Sequence, residues 1–240
     1  MLRRALVAEG LGSLLLAATV VGSGIMAERL AGGNLAVALL ANTAATVAAL
    51  ATLIALLGPI SGAHFNPAVS IVEAVRGRLP LPRAMGYIFV QIAGCCLGAL
   101  LAHAMFEMPL IQASVHLRTG PAQWLSEGVA TAGLILVVMG CSNPNEAAWR
   151  VPAWIGAAYW FTASTSFANP AITLARSLSN TFAGIALAHV PAFIASQLGG
   201  ALLGLLLAKI LAIGQRPHLG TSMMSRRRRY LGSFLERGNM

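Results

Sequence analysis

The sequence predicts an all-α membrane protein, with six transmembrane helices plus two re-entrant half-helices in an inverted repeat. Composition is the first observation behind that reading. Of 240 residues 57% are hydrophobic and 10% charged, and the mean hydropathy is +0.75; a soluble core could not bury that much apolar surface. The second is a tripeptide that occurs twice, Asn66-Pro67-Ala68 and Asn169-Pro170-Ala171. Each follows the end of an apolar run and opens about two to three helical turns, well short of the roughly 20 residues that cross a bilayer. The third is an internal match. Residues 87–102 align without gaps on 193–208, pairing Gln91 with Gln197, Gly94 with Gly200 and Gly98 with Gly204.

Taken in order, the first span is residues 6–26, which follows Arg3 and Arg4 and doubles as a signal anchor because no cleavage site is evident. Glu9 lies near its start, among small residues that permit close helix approach. The second span, 34–57, is ended by Gly58-Pro59. The first re-entrant segment holds His64, the first tripeptide and a half-helix at 67–77. The third span is 82–106. A polar loop leads to the fourth, 121–140, which again has an acid near its start, Glu127. The fifth is 151–165, the second half-helix 170–180, and the sixth 182–213, with Pro191 in its early turns. Residues 1–108 and 109–215 are then the two halves, and 216–240 a basic cytoplasmic tail.

Three full spans per half make the second half enter from the opposite face, which inverts the repeat. The charges orient it. With both termini cytoplasmic, thirteen of the sixteen basic residues lie inside and only Arg29, Arg118 and Arg176 outside, as the positive-inside rule requires. The formal charge of +9 therefore reads as cytoplasmic flanks rather than nucleic-acid binding, since four of the arginines form one run at 226–229. Cys95, Cys96 and Cys141 have no metal-ligand spacing, and no metal site is expected.

Asparagine followed by proline is a helix start: Asn caps, and Pro at the first helical position lacks an amide hydrogen that would be unpaired there anyway. At membrane depth such irregular backbone survives only where it is buried in protein or lines a wet cavity. The two half-helices enter from opposite faces, so their starts meet near the midplane. Each helix end carries roughly +0.5 of an elementary charge, and Asn66 and Asn169 add amide donors. Such a zone repels cations and breaks a proton wire; a small neutral solute with a lone pair suits it.

The two Asn-Pro-Ala boxes, the helix-starting glutamates and the Gln-x-x-Gly helices together resemble the aquaporin and aquaglyceroporin family, also called major intrinsic proteins, over nearly the whole chain. The resemblance implies a homotetramer with one pore per protomer, lying in the plasma or inner membrane and passing water or small uncharged solutes without a cofactor. It also implies a second filter on the outer side, usually with an arginine directly after the second box. Ungapped counting places that filter at Ile172, Thr46, Ala157 and Ser166. Ile172 replaces the arginine, and Arg176 lies one turn further on, away from that lumen position. Losing the guanidinium removes a charge and a fork of donors, so the filter is expected to be wide enough for glycerol, urea or metalloid hydroxides such as arsenite. Cation rejection is then expected to rest mostly on the central zone.

Acids within a membrane are functional-site candidates by default. Glu9 and Glu127 are expected to accept hydrogen bonds from the re-entrant loops rather than relay protons, and Gln91 and Gln197 to bond between helices. His64 either faces the vestibule or ties down its loop. The alternative function is a secondary transporter binding at the same midplane site, although no acid adjoins either box. Nothing groups as nucleophile, base and oxyanion donors, so no enzyme is expected.

Overall fold

A computed structural model describes residues 2–214; the tail expected at 216–240 lies outside them. The described residues form eight α-helices: α1 (Leu2–Leu30), α2 (Leu35–Ser61), α3 (Pro67–Val75), α4 (Leu81–Met105), α5 (Pro121–Gly140), α6 (Pro144–Phe161), α7 (Pro170–Arg176) and α8 (Val190–Ile210), the last preceded by a 3-10 turn at Leu187–His189. By length and hydropathy, α1, α2, α4, α5 and α8 can cross a bilayer. The sixth long helix, α6, has 18 residues, about 27 Å at 1.5 Å per residue. Its first turns carry Glu146 and Arg150, an ion pair at 2.9 Å, which lowers its mean hydropathy.

Several boundaries differ from the sequence reading. The helix α2 does not stop at Gly58-Pro59 but continues to Ser61, with Pro59 inside it and Gly62 N–H closing onto the Gly58 carbonyl. Gly58 serves there as a point of close approach, because a Cβ would press on Pro144 at the start of α6. The helix α6 begins at Pro144, not 151, because Asn143 caps it by accepting from Glu146 N–H at 3.0 Å. The last helix begins at Val190, not 182. Pro191 therefore occupies its first turn, where a missing amide costs nothing; a helix begun at 182 would have set the proline ring against a carbonyl one turn back. The half-helices are also shorter than drawn, ending at Val75 and Arg176.

Small residues set the core. Helix α1 lies against α4 as α5 lies against α8. At these crossings Gly94 backs onto the carbonyl of Gly10 and Gly98 onto that of Leu14, while Gly200 backs onto Gly128 and Gly204 onto Ala132. The spacing that repeats in the sequence thus repeats as two matching contacts, each too close for a Cβ. Inside this frame one apolar cluster joins α1, α2, α5 and α6 to the two half-helices.

Candidate functional site

The two boxes meet tip to tip. Asn66 caps α3, its Oδ1 accepting from Ala68 N–H at 2.9 Å, and Asn169 caps α7, accepting from Ala171 N–H at 3.0 Å and Ile172 N–H at 3.3 Å. With each Oδ1 turned to its own helix, each amide nitrogen reaches across. Asn66 Nδ2 donates to the Ala168 carbonyl and Asn169 Nδ2 to the Phe65 carbonyl, both at 2.8 Å. The reciprocity requires α3 and α7 to run away from each other. A carboxamide nitrogen has two hydrogens, so each asparagine keeps one donor for the cavity that both residues line.

The loops before the boxes are held in a demanding shape. Ala63 and Phe65 have φ of 49° and 48°, and Ser166 and Ala168, each 103 positions later, 49° and 48°. Left-handed backbone at non-glycine residues costs on the order of 1–3 kcal/mol each and persists only when its surroundings enforce it. The glutamates enforce it. Glu9, fully buried on α1, accepts from Ser61 Oγ at 2.6 Å, His64 N–H at 2.9 Å, Phe65 N–H at 2.8 Å and Gln91 Nε2 at 2.8 Å. Glu127, on α5, accepts from Phe167 N–H at 2.8 Å, Ala168 N–H at 2.9 Å and Gln197 Nε2 at 2.6 Å. The glutamines donate onward to the half-helices, Gln91 to Ser70 and Gln197 to Thr173. These carboxylates and carboxamides lie behind the loops, off the cavity wall.

One cavity of about 270 Å³ passes between the boxes. At one mouth it is lined by the ion-paired Glu73 and Arg76, by Arg78 and by Cys141 to Pro144. At the other end it is lined by Thr46, Tyr159, Ser166, Ile172 and Arg176. His64 does both things left open above: it lines the cavity, and its Nδ1 lies 3.0 Å from Ser70 Oγ.

Of the four residues counted as a filter, Thr46, Ser166 and Ile172 are on the wall and Ala157 is not. Ala157 is exposed with Ala153, Trp160 and Phe161 on one stripe of α6, while Val151, Ile155, Ala158 and Tyr159 form the buried stripe opposite. Tyr159 takes the place expected of Ala157, its hydroxyl 3.4 Å from Thr46 Oγ1. The second correction concerns Arg176. It is 2% exposed and lies on the cavity wall one turn beyond Ile172, so this end does not lack a guanidinium. Its position was legible: residues four apart share a helix face, and Ile172 was already assigned to the lumen. Arg118, buried on the loop that joins α4 to α5, bonds to the carbonyls of Gly184, Ser164 and Phe182, anchoring the segments on either side of α7.

These features define a multi-pass membrane protein built around a cavity that runs through the single chain between two opposed half-helices. The chain belongs to the major intrinsic protein family, whose pattern matches residues 1–165. It is 53% identical over 167 residues, 69% of this chain and 72% of the other, to the aquaglyceroporin AqpS of Rhizobium meliloti (strain 1021). It is 34% identical over 120 residues to a probable glycerol uptake facilitator protein of Thermotoga maritima, covering 45% of this chain and 51% of that protein. Its fold matches the X-ray structure of the aquaglyceroporin from Plasmodium falciparum with a TM-score of 0.64 at 17% identity, over 87% of this chain and 96% of that one.

Proposed function

We propose that the protein is a passive channel for water and small uncharged solutes. The observation that carries this reading is the cavity passing between Asn66 and Asn169, each with a spare amide donor. A solute with a lone pair is received there. A cation meets the amide donors and the positive helix starts, and a water bonded to both asparagines presents its oxygen to them, which interrupts a proton wire. Relatives named an aquaglyceroporin and a probable glycerol uptake facilitator support solutes larger than water. The end of the cavity with Thr46, Ile172, Ser166 and Tyr159 offers hydroxyls and an apolar side chain, which suits glycerol, urea and neutral metalloid hydroxides such as arsenite. The protein works as a homotetramer with one pore per subunit and both termini cytoplasmic, so that the Arg76 mouth faces the cytoplasm and Arg176 the outside.

Stopped-flow light scattering on proteoliposomes tests the proposal. Rapid, non-saturating water and glycerol flux with a low activation energy is expected, and saturation with solute concentration would instead identify a carrier.

A further inference from the structure

We infer that Arg176 is a solute-contacting residue that supplies the outer pore with the fixed positive charge and free donor absent at Ile172. The inference rests on the channel reading and gives the outer end a larger share of cation rejection than the expectation that it rests mostly on the central zone. The guanidinium is only partly committed to the fold. Its Nε donates to the Ala183 carbonyl, and its plane is held against the Phe167 ring, with Cζ 3.4 Å from the centroid. Arg118 approaches the same ring at 5.1 Å. Nη1, by contrast, is buried and has no hydrogen-bond partner among the described residues.

Among the described residues the ion pairs are Arg76 with Glu73 and Arg150 with Glu146, so no carboxylate pairs directly with Arg176. Ser166 Oγ, on the same stretch of cavity wall, is likewise buried without a partner among the described residues. A buried donor left unpaired is costly, and a staple to Ala183 accounts for Nε but not for Nη1. An acceptor oxygen arriving through the cavity satisfies it, and Ser166 can pair with the neighbouring hydroxyl or amide of the same solute. The ligand class is thus a neutral molecule that carries an acceptor oxygen beside a donor: a polyol, a urea or a neutral oxyacid. The same charge, weakly screened between apolar walls, raises the barrier to any cation.

Two variants separate charge from scaffolding. Arg176→Gln keeps a donor for Ala183 and loses the charge; potassium leak relative to water flux in the same proteoliposomes is expected to rise on the order of ten-fold. Arg176→Lys keeps the charge, and its leak should stay at the wild-type level. Equal leak in the wild type and the Gln variant, with normal water flux, would overturn the inference and leave the channel standing. Absence of water flux in the wild type would overturn both. An experimental map of the wild-type protein soaked in glycerol needs no variant. Oxygen density within hydrogen-bond reach of Nη1 supports the inference, and an Nη1 satisfied by a protein carbonyl removes it.

Discussion

Asn66 Nδ2 donates to the carbonyl of Ala168, 102 residues away, at 2.8 Å. The bond ties the tip of one half of the chain to the other and at the same time points a donor at the lumen. Asn66→Asp separates these roles from capping, since aspartate caps helices as well as asparagine does. The helix start should survive, while a carboxylate oxygen now faces the Ala168 oxygen. We expect a loss of stability of about 1–3 kcal/mol, read as a lower unfolding temperature in detergent, and a measurable cation leak. An unchanged unfolding temperature would mean that the bond across the midplane adds nothing.

Glu127 accepts from two consecutive amides, Phe167 at 2.8 Å and Ala168 at 2.9 Å. Glu127→Gln preserves shape but turns one acceptor into a donor, leaving one of those amides facing an amide hydrogen. The φ of 48° at Ala168 then loses part of what enforces it. A drop of roughly 1–3 kcal/mol is expected, together with reduced water flux. Gln197→Leu should act more weakly, because it leaves both backbone bonds intact. If the Gln variant conducts and unfolds as the wild type does, the carboxylate is not what holds the second loop.

The boxes, the glutamates and the glutamine helices were readable because their rules are local: a capped helix start, an acid too costly to bury alone, a glycine spacing that recurs. What failed was counting across a loop. Between Phe161 and Asn169 the backbone passes through positive φ at Thr165, Ser166 and Ala168, and helical phase does not carry through such a segment. Counting back from the second box therefore chose Ala157, on the exposed stripe, instead of Tyr159. Arg176 was misread for another reason. The position after the box was treated as the only lumen register of α7, although its helix period brings residue 176 to the same wall. The late start of α8 was hidden because 182–189 is apolar enough to pass for helix, and only Pro191 marked the true beginning.

Cys141 lines the mouth beside Arg76 and Arg78, whereas Cys95 is fully buried and points at the Ser13 carbonyl. A charged methanethiosulfonate reagent added at that mouth should block flux in the wild type and spare Cys141→Ser. Burial raises the Cys141 thiol above its ordinary value, and nearby Arg150 offsets this only in part. At neutral pH the group is therefore mostly the unreactive thiol, and its thiolate fraction climbs with pH. Block should be faster at pH 9 than at pH 7, by up to about a hundred-fold. Equal rates, or block that survives in Cys141→Ser, would place the reactive thiol elsewhere.

Tyr159 and Ala157 allow the wall of the cavity to be mapped by contrast. Tyr159 is 4% exposed, lines the cavity and reaches Thr46; Ala157 sits two residues away on the opposite stripe of the same helix. Tyr159→Ala removes a ring from the wall, so glycerol flux relative to water should rise by about five-fold or more, a barrier change of about 1 kcal/mol. Tyr159→Phe keeps the ring and deletes only the hydroxyl, and should change solute preference less than it changes size exclusion in the alanine variant. Ala157→Phe places its bulk on the outer face, where substitutions cost little, and both fluxes should stay within about two-fold of the wild type. If instead Ala157→Phe closes the pore to glycerol and Tyr159→Ala leaves it unaltered, α6 is rotated by about half a turn from the position described, and the ring of side chains at this end is built from its other stripe.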